Sequence, residues 1–233
     1  MNTIKKLQDP QSELLLLRNC TGVSKLYFTL RKTFPSALQP ATIQFDTSMF
    51  QYLRNLIVGD GDGFGVIQQR MVTLPIKDGG LGVYTMADTF KYCYLASCAQ
   101  TRHLQDVILQ HTTSFDVSQQ YHHALQVYIQ ICGLSPSQFN INDVAPHLMK
   151  SLAATYFDAI KKELPNKYSL SARDIDLWQC NRTKHAMDFL KVVPIHGLNQ
   201  AVVPRQFRAV LNYRYLLQSR CSRSQGGFYG FLV

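Results

Sequence analysis

Nowhere in the sequence do about 18 apolar residues follow one another, so no segment reads as a membrane-spanning helix. The opening stretch, Met1 to Asp9, has no apolar centre, which argues against a secretory signal. Charge is sparse, at 17% of residues, and acids are the scarcer sign: 15 Asp and Glu against 24 Lys and Arg, a net charge of +9. Six cysteines are scattered (Cys20, Cys93, Cys98, Cys132, Cys180 and Cys221) with no C-x2-C pair and no set suited to zinc. Cys93 and Cys98, five apart, fall on different faces of a helix. The cysteines read as reduced thiols used as small core residues, in an intracellular protein. The one tryptophan, Trp178, reads as a core anchor.

Motifs for chemistry are also lacking. There is no H-E-x-x-H, and His122 and His123 are adjacent, so they point different ways on a helix. The run Gly59 to Gly65 lacks the Gly-Lys-Ser/Thr ending of a phosphate loop and follows no hydrophobic strand. Asp60, Asp62 and Asp78 have no EF-hand spacing and suit turns. Cys20 or Ser24 would need a positioned base to act as nucleophile, and none is specified. No catalytic residue, metal or cofactor is expected.

What is present is helical periodicity. Pro10 to Glu13 opens a segment predicted to run as one helix to about Lys32, with Leu16, Cys20, Val23, Tyr27 and Leu30 as its stripe. A second helix begins near Pro35 or Pro40 and reaches Val58, striped by Phe45, Met49, Leu53 and Leu56. Four glycines between Gly59 and Gly65 break the pattern. A short helix spans about Val66 to Val72, and Leu74 to Gly82 is a shaped loop. Thr85 and Asp88 resemble a capping box that starts a helix to roughly His111. Further helices are expected over 117–131, from Asp143 and Pro146 to about Glu163, from Ser171 to about Lys191, and from Pro204 to about Ser219. The stripe of the second of these is Leu148, Leu152, Tyr156 and Ile160. The only candidate for extended chain is Gly82 to Tyr84.

The charges are unevenly placed. From residue 189 onward there are six cations (Lys191, Arg205, Arg208, Arg214, Arg220 and Arg223) and no acid, a distribution that favours polyanions by counterion release. Arg205, Arg208, Arg214 and Arg220 interleave with Phe207, Tyr213 and Tyr215, a mixture that can hold single-stranded nucleic acid. Arginines on the wet side of a helix whose Phe207, Val210, Leu211 and Leu217 pack inward would look the same. Arg18, Lys25 and Lys32 are spaced by seven, so on one continuous helix they share a side with about 20° of drift per step. Gly22 and Thr29 would leave that side open to a phosphate backbone; a merely solvated face is the alternative.

Three blocks carry a resemblance. Leu14 to Phe28, Leu74 to Tyr84 with its Gly79-Gly80-Leu81-Gly82, and Lys191 to Gln200 followed by Phe207 to Arg214 resemble, in order and spacing, the region downstream of the palm in plant-type non-LTR retroelement reverse transcriptases. The resemblance covers most of the chain. It implies the helical thumb and linker of an RNA-directed DNA polymerase. It also implies what is missing: no aromatic-x-Asp-Asp palm motif is present, and Cys221 with Ser224 three residues on cannot form the Cys/His knuckle that precedes the family's nuclease. The chain thus reads as a truncated element that is not itself an enzyme.

The expected fold is all-α or nearly so, with about seven to eight helices in one elongated bundle or two loosely joined ones. The expected regions are 1–135, thumb-like, and 136–233, linker-like. The expected function is sequence-tolerant binding of RNA or DNA, duplex or single strand, through Arg18, Lys25, Lys32, Arg205, Arg208, Arg214 and Arg220, with no small-molecule substrate and no membrane. An intracellular and, by the resemblance, nuclear setting follows. A helical protein-interaction module and a relic without function are the alternatives.

Overall fold

The first helix opens at Pro10, as the sequence predicts, and is capped by Asp9, whose carboxylate accepts from the backbone N–H groups of Gln11 (3.3 Å) and Ser12 (3.2 Å). The computed structural model describes residues 3–59, 61, 63–108, 119–135 and 147–215, and among these every regular element is an α-helix or a short 3-10 turn. The α-helices are α1 (Pro10–Cys20), α2 (Tyr27–Lys32), α3 (Gln39–Ile57), α4 (Val66–Val72), α5 (Met86–Ile108), α6 (Gln119–Cys132), α7 (Leu148–Lys167), α8 (Ala172–Arg182) and α9 (Pro204–Tyr215). The protein is all-α, as its periodicity predicts.

Three expectations need correction. The segment from Pro10 to Lys32 is not one helix. It stops at Thr21, resumes as a 3-10 turn over Val23–Leu26 and only then becomes α2. Gly22 sits at the break in extended conformation, where a Cβ would stand 2.9 Å from the Leu17 carbonyl oxygen. The apolar stripe is therefore redrawn: Leu14, Leu17, Val23 and Leu30 are buried, whereas Cys20 is exposed. The helix from Ser171 is also shorter than expected. Its capping box forms, with Asp174 N–H on the Ser171 hydroxyl and Ser171 N–H on the Asp174 carboxylate, but it ends at Arg182. Thr183 turns extended, its hydroxyl donates to the Cys180 carbonyl (2.8 Å), and His185 takes a left-handed φ of 69°. Lys191 belongs to a separate 3-10 turn, Asp188–Lys191. Finally, Gly82 to Tyr84 forms no strand.

α5 is the central helix, packed against α2, α3, α6 and α7. Its start is held from another element: the Asp46 carboxylate of α3 accepts from Met86 N–H (2.7 Å) and Ala87 N–H (3.0 Å), which satisfies orphan donors of the first turn. The predicted capping box is half realised, with Asp88 N–H on the Thr85 hydroxyl (3.0 Å). The Asp88 carboxylate turns instead to Arg70 (2.6 Å) and to the Tyr156 hydroxyl (2.6 Å). α7 runs past Glu163 to Lys167, with Pro165 accommodated in its last turn beside buried Leu164. Its opening at Asp143 and Pro146 lies outside the described residues, as do the end of the last helix near Ser219 and the stretch that follows residue 135, where the division between the two expected regions falls.

Buried residues from before and after that division form one hydrophobic cluster, running from Ile4 through Leu53, Met71 and Leu81 to Tyr156, Trp178 and Tyr215. The α6–α7 contact includes a hydrogen bond from the Tyr128 hydroxyl to the Leu152 carbonyl (2.8 Å).

Candidate nucleic-acid interface

The site is organised by the Leu74–Tyr84 loop. It folds on itself: Gly80 N–H donates to Pro75 O, Leu81 N–H to Val72 O and Gly82 N–H to Leu74 O, all at 2.9–3.0 Å. Glycine is required here. A Cβ on Gly80 would lie 2.0 Å from the Leu74 carbonyl oxygen, and Gly79 adopts φ 85°.

Four helices then fix the loop from outside. The Trp178 indole of α8 donates to Asp78 O (3.0 Å), and the Tyr215 hydroxyl of α9 donates to Gly79 O (3.0 Å). Lys161 of α7 donates to the Asp78 carboxylate (2.9 Å) and to Asp158 (2.6 Å). Arg18 of α1 donates to Leu190 O (2.6 Å) and reaches Leu81 O (3.4 Å). Buried carbonyls and one oxygen of the buried Asp78 carboxylate are thereby satisfied by donors from remote parts of the chain, while Asp78 Oδ2 is buried without a hydrogen-bond partner.

Arg18 in this way joins the loop to the 183–191 turn, and a crevice of about 360 Å³ opens between them. Its wall carries Lys77, Arg182, Lys184, His185 and Lys191. The acid among them, Asp188, is already bonded to Lys191 (2.8 Å) and His185 (2.6 Å). Asp158, close enough to Lys77 to feel its charge, is held by Lys161. The Arg182 guanidinium lies over the Trp178 ring at 5.1 Å, a cation–π contact at the surface. Lys77, Arg182, Lys184 and Lys191 are all exposed.

A second cleft of about 500 Å³ begins where the first ends, sharing Ile76 and Lys77 with it. Its remaining walls include Asn19, Ser24, Tyr27, Val83 and Tyr84. Burial pushes the Tyr27 hydroxyl up to about 12 and raises that of Tyr84 as well. Burial also lowers the Arg18 guanidinium from its ordinary value. Among the described residues no three His, Cys, Asp or Glu side chains converge where they could hold a metal ion.

Searches of protein-family models, curated proteins and solved structures find no match to this chain. The geometry of the site is therefore its own guide.

Of the residues singled out by sequence, Arg18 does reach the site, but as a clamp on backbone carbonyls. Lys25 is exposed next to Ser24, at the second cleft. Lys32 is exposed on α2 with its ammonium 4.5 Å over the ring of Phe28. The helical row that joined these three depended on an unbroken helix, and the break at Gly22 removes it. Arg205 is exposed. Arg208 is half-buried in a cleft with Lys5, Glu13 and Tyr52, its Nε buried without a hydrogen-bond partner. Arg214 donates to Asn181 (2.8 Å) and lies 5.3 Å over Phe189, so it ties α9 to α8. Its neighbour Tyr213 is exposed while Tyr215 is buried; Arg220 lies outside the described residues. Sequence reasoning missed Lys77, Arg182 and Lys184. The signal was there in Arg182-Thr183-Lys184-His185, a basic run obscured by its assignment to a continuing helix.

Proposed function

We propose that this chain is a non-catalytic helical module that holds RNA or DNA by its phosphate backbone. In origin it is the thumb and linker of a plant-type non-LTR retroelement reverse transcriptase. The observation that supports the binding reading most is the crevice beside the Leu74–Tyr84 loop, where Lys77, Arg182, Lys184 and Lys191 surround a single, already paired, Asp188. Charges placed in this way on a fixed wall recognise a repeating anion and not a base edge, so binding is sequence-tolerant and salt-dependent. The +9 net charge adds long-range attraction. A nuclear, intracellular setting goes with this origin.

The test is a salt titration of binding to labelled single-stranded RNA and to an RNA–DNA duplex. Neutralising three to four phosphates predicts a slope of log affinity against log salt of about −3 on duplex. The double substitution Lys77→Glu with Lys184→Glu should flatten that slope and weaken binding at least about tenfold. An unchanged slope would show that the crevice is not where the phosphates sit.

A second reading rests on a different observation. A cleft of about 690 Å³ between α3, α5 and α6 is walled by Phe34, Ile43, Phe90 and Val127, and Ile43 is 61% exposed. An apolar surface of this kind suits a protein partner, and in that case blocking it with Ile43→Asp would abolish association while leaving nucleic-acid binding intact.

A further inference from the structure

Two clefts of opposite character meet at Ile76 and Lys77. The larger has aromatic and apolar walls, with Tyr27, Val83 and Tyr84 facing Pro75 and Ile76, and polar groups of Asn19 and Ser24 at its edge. Its size falls in the range of pockets that enclose small organic groups, about 300 to 1,000 Å³. The smaller is the cationic crevice. An apolar, tyrosine-lined recess opening directly onto a row of cations matches the two halves of a nucleotide, a flat aromatic base and a phosphate, in their order along a strand.

We infer that the 500 Å³ cleft beside Arg18 is a base-binding site for an unpaired nucleotide of a single strand whose phosphates lie in the adjoining crevice. This inference rests on the proposed polyanion-binding function and makes it more specific: the preferred partner is single-stranded, because a base inside a duplex cannot leave its stack without loss of pairing.

The architecture supports such a site. Both walls are held in place before any ligand arrives. Arg18, itself part of one wall, reaches the Leu81 carbonyl beside the other, and Tyr84 is packed on Phe157 at a ring-centroid separation of 5.3 Å. Gly82 keeps the recess open: with φ 68°, a Cβ there would approach Arg18 Cδ at 3.3 Å and Ile76 Cγ1 at 3.1 Å, two side chains that line it. The Tyr27 and Tyr84 hydroxyls, in the wall of the cleft, can donate to a base carbonyl. Stacking on a tyrosine does not distinguish bases strongly, so the site is tolerant of sequence.

The experiment compares three probes on the folded full chain: a labelled oligouridine of about 12 nucleotides, an abasic strand of the same length and charge, and uridine 5′-monophosphate as competitor. Ser24→Trp and Asn19→Trp fill the recess from exposed positions, so the core is untouched. The expected result is that oligouridine binds about tenfold more tightly than the abasic strand, and that either filling variant removes this advantage and leaves abasic binding unchanged. Equal affinity for the two strands, with both variants inert, would overturn the base site and leave the phosphate crevice standing. Failure of both strands to bind at about 50 mM salt would overturn the crevice and the base site together. A mononucleotide that matches the strand's affinity would overturn the strand reading in favour of a free-nucleotide site.

Discussion

The molecule has two glycine-rich segments that look alike in composition and behave differently in the fold. At Gly59 itself a Cβ would meet nothing within 4 Å, although φ is 66°, and at Gly61 and Gly65 it would come no nearer than 3.1 Å to the Val58 side chain and 3.3 Å to the Gln68 side chain; at Gly59 the backbone needs glycine's freedom but not its small size. At Gly79 to Gly82 the chain needs both. There the backbone doubles back within 2.0 Å of where a Gly80 Cβ would stand, and α1, α7, α8 and α9 each supply a donor to the loop between Asp78 and Leu81. One segment connects two helices. The other organises the core and both clefts. Glycine content marks a turn; the remote donors around it determine whether the turn is structural.

The contrast can be tested by direct substitution. Gly80→Ala should have the largest effect, a loss of about 4 kcal/mol or outright failure to fold, because the added carbon meets backbone and not a movable side chain. A melting temperature near that of the parent would break the comparison. Lys161→Met comes next. It leaves the Asp78 carboxylate, with a side chain only 7% exposed, without its cation, and should cost about 3 kcal/mol in denaturant unfolding.

Acid should bear on the pinned region too, through Asp88 just beyond it. Burial opposes the Asp88 charge, but Arg70 and the Tyr156 hydroxyl outweigh burial and hold its carboxyl below the ordinary 3.8. A depressed folded-state value contributes stability above 3.8 that is lost as pH falls through the folded value. Asp46 works the other way, since burial raises it, so its protonation favours the fold on acidification. Stability measured from pH 5 down to pH 2 should fall, and should fall less steeply in Asp88→Asn; parallel curves would remove Asp88 as the cause. Gly59→Ala should have the smallest effect, about 1 kcal/mol from the left-handed backbone alone. A loss as large as that of Gly80→Ala would mean the first segment is not the simple connector described.

Much of this was legible in the sequence, and the misses share a cause. Of the stripe Phe45, Met49, Leu53 and Leu56 the last three are buried and Phe45 is half-buried; Leu148, Leu152, Tyr156 and Ile160 are all buried, and Val66–Val72 forms at its predicted bounds, because local periodicity determined them. The break at Gly22 was not legible. Seven-residue spacing continues on paper through a position where the chain turns, and the turn is set by close backbone packing. Arg18 was picked out for its charge and is in the site for its reach, since its partners, Leu81 and Leu190, are 63 and 172 residues away. Lys77 joins Arg182 and Lys184 only when the loop and the 183–191 turn are brought together, so no window along the chain contains all three.

The pinned loop also sets an order of events during synthesis. Its glycines leave the ribosome early, but the indole that holds Asp78 follows 100 residues later and the hydroxyl that holds Gly79 follows 136 residues later. Until α8 and α9 have been made, the Leu74–Tyr84 segment has its internal turn and can reach Arg18 and Lys161, but lacks the Trp178 indole and the Tyr215 hydroxyl. Closing contacts over such separations is slow relative to forming helices. Ribosome-bound chains halted before residue 172 should therefore be cut by protease at this loop, and released full-length chains should resist.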